Sequence, residues 1–239
     1  LEGEEASFFV FSDGEKILCL DSSQDHKRLL DDDKGPNTGG MGAYSPAPII
    51  DEETKQNILN EIINPVFEGF KKENFEYTGI LYVGLMINNK MPSVVEFNCR
   101  FGDPETQPLL FRIESDIFDL FYQTALKQID QYQLIWKRKT AISVVLASLG
   151  YPMNPETGGE IKELESFKNT DDEFVFHAGT KFLDNKVVIS GGRVLNITAL
   201  GHDLEDAINK VYDSINKVEL KNFHYRNDIG KKGLVKKTK

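Results

Sequence analysis

The sequence predicts an α+β protein in which antiparallel strands pack with amphipathic helices, followed by a smaller α+β unit. Three observations carry this expectation. Gly79 to Ile87 and Ser93 to Asn98 are runs of apolar, β-branched and aromatic residues joined through Asn88-Asn89-Lys90, the pattern of a hairpin. Asp51 to Lys72 and Thr106 to Gln131 repeat apolar residues every three or four positions, the period of a helix with one buried face. From Thr140 the texture changes to several short strands and one closing helix. The expected limits are residues 1–135 for the first unit, 136–230 for the second and 231–239 for a basic tail, frayed and solvated.

Taken in order, Leu1 to Ser7 reads as a Gly-containing turn feeding a strand through Phe8 to Phe11. A turn at Ser12-Asp13-Gly14-Glu15 and a return strand from Lys16 to Asp21 follow. Ser22 to Tyr44 is polar, Gly-rich and without period, so it is expected to be a long ordered loop. Asp51 is placed to cap the next helix, and Pro65 to kink or split it. In the helical stretch after Thr106, Leu109, Leu110, Ile113, Ile117, Leu120, Phe121 and Leu126 are expected to face the core, with a restart at Ser115-Asp116. Trp136 is expected to pack. Further strands are expected at Ala141–Ala147, Glu173–Ala178, Lys186–Ser190 and Arg193–Leu200, and a helix at Asp203–Lys217. Gly191, Gly192 and Gly201 read as turns, and His177, His202 and His224 as structural residues, since none has a partner at metal-ligand spacing.

A net charge of −10 argues against nucleic acid as a partner, because phosphate binding needs a positive field. Two cysteines, Cys19 and Cys99, make no disulfide framework, and a reducing cytoplasm is expected. No apolar run reaches the length of a membrane span. The chain starts with Leu rather than Met inside what reads as the approach to a strand, so it is expected to be a fragment or a processed product. Exposed apolar surface is then expected around Leu1, the Phe8 to Phe11 strand and the sheet edges.

The chemistry concentrates at the end of the hairpin. Glu96 and Asn98 lie two residues apart on a strand, which puts both on one face and turns Phe97 toward the core. A carboxylate and an amide oxygen side by side are hard donors suited to Mg²⁺ carried by a nucleotide phosphate. Alternatively, they are the solvated end of an edge strand. Arg100, Asp103 and Glu105 follow in a charged loop bent by Gly102 and Pro104. Upstream, Gly39, Gly40 and Gly42 permit close backbone approach to a ligand, with Lys27 and Arg28 as cations nearby in sequence; a surface loop without a ligand is the other reading.

Val95-Glu96-Phe97-Asn98-Cys99-Arg100-Phe101-Gly102-Asp103-Pro104-Glu105 resembles the signature of the phosphoribosylamine–glycine ligases, ATP-grasp enzymes of purine synthesis. Gln24-Asp25-His26-Lys27-Arg28 with Gly35-Pro36-Asn37-Thr38-Gly39-Gly40-Met41-Gly42-Ala43-Tyr44-Ser45-Pro46 resembles the same family, and the likeness runs from Leu1 to about Gly230. It implies the second lobe of an ATP-grasp domain and a C-terminal domain, the latter carrying His177-Ala178-Gly179-Thr180-Lys181 and Ser190-Gly191-Gly192-Arg193-Val194-Leu195. The implied reaction joins glycine to 5-phosphoribosylamine at the expense of ATP, through a glycyl phosphate. The implied roles are Glu96 and Asn98 as ligands of Mg²⁺ or Mn²⁺, and Arg100 and Asp103 as catalytic groups. The Leu1 backbone would lie near adenine, and Glu5 would bond the ribose hydroxyls. Lys27, Arg28, Gly39, Gly40 and Glu105 would bind substrate. Many ATP-grasp enzymes have an acidic metal ligand where this chain has Gly84, as the ligases of this family do not. The family's N-terminal domain and first ATP-grasp lobe have no counterpart in these residues. A catalytically incompetent body awaiting a complementary N-terminal half is therefore the competing expectation, and another ATP-grasp carboxylate–amine ligase the third.

Overall fold

Ten consecutive residues, Glu4–Asp13, form the first strand, β1, although only Phe8 to Phe11 carry a strong strand signal. The computed structural model describes residues 1–167, 169–217 and 222–234. After β1 come β2 (Ile17–Cys19), β3 (Gln24–Asp25), β4 (Arg28–Leu30), β5 (Lys34–Asn37) and β6 (Gly42–Ser45). Helices α1 (Glu52–Ile58) and α2 (Asn64–Lys72) precede the hairpin of β7 (Thr78–Asn88) and β8 (Met91–Asn98). Then follow α3 (Thr106–Phe111), α4 (Ile117–Ala125), β9 (Thr140–Ser148), β10 (Glu173–His177), β11 (Thr180–Leu183) and β12 (Lys186–Ile189). The order closes with β13 (Arg193–Gly201), α5 (Leu204–Asn216), β14 (Phe223–His224) and α6 (Lys231–Leu234).

These elements make two units, each assembled from separated stretches of chain. Leu1–Gln24, Ser45–Gly102 and Ile113–Lys137 form the first; Asp25–Tyr44, Asp103–Arg112 and Arg138–Lys239 form the second.

In the first unit the sheet order is β2-β1-β7-β8, antiparallel throughout. β1 pairs with β7 from Glu4↔Ile87 to Asp13↔Thr78 without a break. Alternate side chains therefore leave the sheet on opposite faces. Ala6, Phe8 and Val10 join Leu81, Val83, Leu85 and Ile87 in a core with Ile58, Ile62 and Ile63 of the helical segment. Phe9 and Phe11 point the other way, into edge-on and tilted contacts with Tyr82, Phe101 and Phe121. Phe8 to Phe11 are thus buried on both faces of an interior strand, not exposed as expected. Apolar exposure does lie, as expected, at Leu1 and on the edge strand β8 at Met91, Val94, Val95 and Phe97, and also on α4.

Asp51 caps α1 as expected, its carboxylate accepting from the Thr54 amide at 2.9 Å and the Thr54 hydroxyl at 2.8 Å. Pro65 does split the helical segment: a π-helical turn, Leu59–Ile63, separates α1 from α2 and places the proline in the first turn of α2, where its missing N–H is tolerated. The hairpin turn narrows to Asn89-Lys90, both left-handed at φ 49° and 68°, as a two-residue turn of this hand requires. The stretch after Thr106 is not one helix. Asp116 accepts from the Phe118 amide at 2.8 Å and starts α4 afresh. That restart resets the helical phase, so Leu120 and Thr124 are buried while Phe121 and Leu126 are 46% and 47% exposed, against expectation.

In the second unit a sheet of order β10-β13-β9-β6-β3, with β14 also paired to β9, carries α5 on one face. Ala207, Ile208, Val211 and Ile215 of α5 pack with Ile142, Val144, Leu146, Ile197 and Ala199. Asp203 caps α5 by accepting from the Asp206 amide at 2.9 Å. The stretch expected as a loop, Ser22 to Tyr44, instead holds β3 to β5 and most of β6, which lies beside β9. Its β4–β5 hairpin turns through Asp32 and Asp33, left-handed at φ 57° and 51°. Apolar residues are too few there to announce strands; a buried arginine secures them. Arg226, 1% exposed, donates to Asp33 Oδ1 at 2.8 Å, to both oxygens of Asp228 at 2.7 Å, and to the Arg28 carbonyl at 3.1 Å. At the C-terminus Lys231–Leu234 is helical rather than frayed, and Lys232 donates to the Asp25 carbonyl at 2.8 Å. Lys236, Lys237 and Lys239 of the expected tail lie outside the described residues.

Asp51→Ala should lower unfolding free energy by about 1 kcal/mol in urea titrations at neutral pH. The Thr54 amide holds the Asp51 carboxyl down at about 2. A depressed carboxyl stabilises above its unfolded value, about 3.9, and loses that contribution as pH falls toward 2. The wild-type advantage over Asp51→Ala should therefore vanish across that window. Arg226→Ala should cost about 3–5 kcal/mol in the same titrations, because it strips the cation from the shielded Asp228 carboxylate and releases the Arg28 carbonyl.

Candidate functional site

Directly opposed residues of antiparallel strands share a face. Glu96 opposes Gly84 and Asn98 opposes Tyr82 on β7. On the far side of β7, Ser7 opposes Gly84 and Phe9 opposes Tyr82, and Glu5 precedes Ser7 by two residues on the same face. The structure thus gathers Glu5, Ser7, Tyr82, Glu96 and Asn98 on the sheet face away from the core with α1 and α2. Ser7 Oγ and Tyr82 OH are hydrogen-bonded at 2.9 Å beneath it.

Two local devices aim Glu96. The register slips between Gly84↔Glu96 and Leu85↔Val94, leaving Val95 as the extra residue of a β-bulge, a feature that re-aims the side chains beyond it. At Gly84, a Cβ would stand 3.0 Å from Glu96 Cγ, so the glycine leaves room for the carboxylate's stem to lie across β7. Phe97 takes the other face, as the period requires, but is 44% exposed rather than in the core because β8 is an edge strand. Asn98 Oδ1 accepts from Arg100 Nη2 at 3.4 Å, and Arg100 Nη1 donates to the Phe101 carbonyl at 2.8 Å. Leu1 is exposed, and the Glu5 carbonyl accepts from Gln24 Nε2 at 2.8 Å.

Among the described residues no three His, Cys, Asp or Glu side chains converge in a way that could hold an ion. Mg²⁺ does not need such a cage: it keeps several waters and is held by one or two protein oxygens plus phosphate oxygens. Glu96 and Asn98 fit that description and would not make a closed structural site.

The other candidates meet in the second unit. Lys27 is half-buried and Arg28 exposed, its Nη1 donating to the Gly35 carbonyl at 2.9 Å. The glycine loop spends its amides inside the protein. Gly39 N–H donates to Tyr151 OH at 2.9 Å, Gly40 N–H to Thr38 Oγ1 at 3.0 Å, and Met41 N–H to the His26 carbonyl at 2.8 Å. Those groups do not form an anion cradle; charge at this loop comes from side chains. Gly40, at φ 117°, approaches Pro104 so closely that a Cβ would sit 2.4 Å from the proline Cδ. Gly39 and Gly40 are thereby brought to Asp103, which is exposed, and Glu105 lies just beyond, 4% exposed.

Sequence reasoning passed over four residues here. Arg193 contacts both Gly39 and Asp103, and Tyr151 accepts from Gly39. Arg226 is the buried cation described above. His26 is buried, held neutral chiefly by that burial; its Nε2 accepts from the Gly230 amide at 3.4 Å and its Nδ1 meets no partner among the described residues. The available signal was Gly192-Arg193, where the glycine reads as a turn and the arginine as the start of a strand within a family string, with no role given to either: a Cβ at Gly192 would stand 2.2 Å from the Tyr151 ring. His177 and His224 are structural, paired with Thr180 Oγ1 and the Leu29 carbonyl.

The first unit's antiparallel sheet, with α1 and α2 on one face, α4 on the other and a Glu–Asn pair ending its edge strand, lies in a stretch that matches an ATP-grasp (A) domain, which places the protein in the ATP-grasp class. Its fold is like that of the biotin carboxylase domain of Hydrogenobacter thermophilus 2-oxoglutarate carboxylase, solved with MgADP, at TM-score 0.67 and 14% identity over 93% of this chain and 47% of that one. Residues 1–106 match the phosphoribosylglycinamide synthetase ATP-grasp (A) domain, and residues 141–232 the C domain of the same synthetase. The chain belongs to the phosphoribosylglycinamide synthetase family. It is 44% identical over 235 residues to the phosphoribosylamine–glycine ligase of Ralstonia nicotianae, covering 98% of this chain and 55% of that protein. The crystal structure of the Thermotoga maritima phosphoribosylamine–glycine ligase superposes with TM-score 0.80 at 35% identity, over 96% of this chain and 56% of that one. The chain thus spans about half the length of the curated relatives it matches.

Gly40→Ala tests the approach of the two loops. A methyl group against Pro104 at this positive φ should destabilise the protein by about 1–3 kcal/mol, read as a lowered denaturation midpoint with unchanged slope.

Proposed function

We propose that this chain carries the C-terminal part of an ATP-dependent phosphoribosylamine–glycine ligase, joining glycine to 5-phosphoribosylamine with release of ADP and phosphate. The supporting observation is the shared sheet face of Glu5, Glu96 and Asn98 in a chain of this family. On this reading Glu5 accepts from the ribose hydroxyls and the Leu1 backbone borders adenine. Glu96 and Asn98 hold Mg²⁺, or Mn²⁺ in its place, that accompanies the nucleotide and neutralises phosphate charge. Arg100 stabilises the transferring phosphoryl group and the resulting glycyl phosphate. Asp103 or Glu105 holds the glycine ammonium; Lys27 and Arg28 meet anionic groups of the substrates beside Gly39 and Gly40. Catalysis of this kind rests on positioning and charge neutralisation. The expected setting is the cytoplasm, which suits two free thiols; burial pushes that of Cys19 up to about 11. No helix among the described residues is long and apolar enough to cross a membrane.

A second reading, favoured by the half-length match to the relatives, is a folded body that acts only with a complementary N-terminal half. One assay separates the two: ADP release dependent on both glycine and phosphoribosylamine, with the chain alone and with the unmatched N-terminal portion of a relative added. The expected result is weak ATP binding and no product alone, with activity on addition. Turnover by the chain alone overturns the second reading, and no turnover in either arrangement overturns the first. Glu96→Gln should weaken Mn²⁺ binding in the presence of ADP by about tenfold, followed by electron paramagnetic resonance, with the thermal midpoint unchanged. Unchanged Mn²⁺ affinity would remove Glu96 from the metal site.

A further inference from the structure

We infer that Arg193 is a positioning residue that locks the glycine loop to the Asp103 loop, with Tyr151 as its second fastening. The inference rests on the proposed ligase function for its consequence, and on geometry within the second unit for its existence. Arg193 Nη1 donates to the Gly39 carbonyl at 2.7 Å and to the Asp103 carbonyl at 2.6 Å, while Nη2 pairs with Asp103 Oδ2 at 3.0 Å. One planar guanidinium thus holds backbone of both loops and the candidate catalytic carboxylate at once.

Three features of the chain exist to make that contact. The register of β13 against β9 slips between Arg193 and Leu195, a bulge at the strand's first turn of pairing that aims Arg193 independently of the residues after it. Gly39 offers no side chain where a Cβ would stand 3.0 Å from Arg193 Cζ, so the guanidinium can reach the carbonyl. Tyr151 lies over Gly192 and takes the Gly39 amide, so both polar groups of Gly39 are held by the Gly192-Arg193 region. The Arg193 side chain is only 21% exposed while that of Asp103 is 47% exposed, so the pair is shielded on its arginine side, and the two backbone carbonyls fix the guanidinium there.

A lysine could pair with Asp103 but has no second nitrogen with which to meet two backbone carbonyls and a carboxylate at once. Arg193 sets the direction of the Asp103 carboxylate: Oδ2 faces the guanidinium and Oδ1 is turned toward Gln107 Nε2 at 3.4 Å. Losing that constraint by as little as about 1 Å is enough to lower turnover on the order of 10²-fold.

The test uses Arg193→Met and Arg193→Lys in the 239-residue chain. By hydrogen exchange, Arg193→Met should speed amides 38–42 and 103–109 together by about tenfold or more, leaving β9 and the rest of β13 unchanged, with Arg193→Lys between. In whichever arrangement supports turnover, kcat should fall on the order of 10²-fold in Arg193→Met. The KM for ATP should stay within about twofold, and Arg193→Lys should recover part of kcat. Unchanged exchange in either loop, or kcat within about threefold of the parent, overturns the inference. Should Arg193→Met fail to fold, Arg193→Lys and Tyr151→Phe decide by the same two-loop criterion. Absence of turnover in every arrangement overturns the ligase reading alone, and exchange then decides whether the lock exists.

Discussion

The unbroken antiparallel register between β1 and β7 is the constraint on which the first unit depends. Because the side-chain period of a strand is two, that single register decides which residues meet the helices and which meet the open face. Slipping it by one residue would send Phe9 and Phe11 into the core with α1 and α2 and turn Ala6, Phe8 and Val10 outward. Glu5 and Ser7 would leave the face of Glu96 and Asn98 in the same movement. Packing and chemistry are therefore specified together. The aromatic residues on both sides of β1 make the slip costly, since each buried Phe contributes roughly 1.5–3 kcal/mol.

The second unit solves a different problem. Its candidate residues lie on short, polar segments that cannot bury enough apolar surface to order themselves. Order comes from cations satisfied by several acceptors each: Arg226 for the β4–β5 hairpin, and Arg193 for the glycine and Asp103 loops. A partly buried guanidinium with all its partners in place is directional in a way that hydrophobic contact is not. That directionality suits loops whose task is to hold polar groups at defined angles.

Periodicity made part of this legible. The strand β7, the amphipathic stretch 51–72, the α5 helix and the strand at Thr140–Ser148 bury apolar stripes, so their sequence carries the period, while β8, an exposed edge, was legible from its apolar alternation and the turn before it. Glu96 and Asn98 could be placed on one face by counting alone. Segments held by long-range polar contacts were not legible. Nothing near Arg28 or Asp33 announces that Arg226, nearly two hundred residues away, will close their hairpin. The bulge at Val95 and the one after Arg193 were invisible for the same reason, since each is defined by its partner strand. Phe121 and Leu126 fit a continuous helical stripe and were misread because Asp116 restarts the helix in a new phase.

Net charge supplies the last step. At −10 the protein repels anions at long range, yet the proposed substrates carry phosphates. On the proposed reading Glu5 and Glu96 sharpen the difficulty, because they add negative charge to the very face that would receive a nucleotide. A bare triphosphate gains nothing from such a face. A triphosphate bound to a divalent ion does, since the ion brings the positive charge that Glu96 and the Asn98 oxygen are suited to receive. Arg100, two residues beyond Asn98 and already hydrogen-bonded to it, is then the local cation available for phosphoryl charge left over. The same reasoning explains why an amide rather than a second carboxylate is workable at Asn98. It would offer an oxygen to such an ion without adding to the repulsion, and it accepts from the guanidinium beside it.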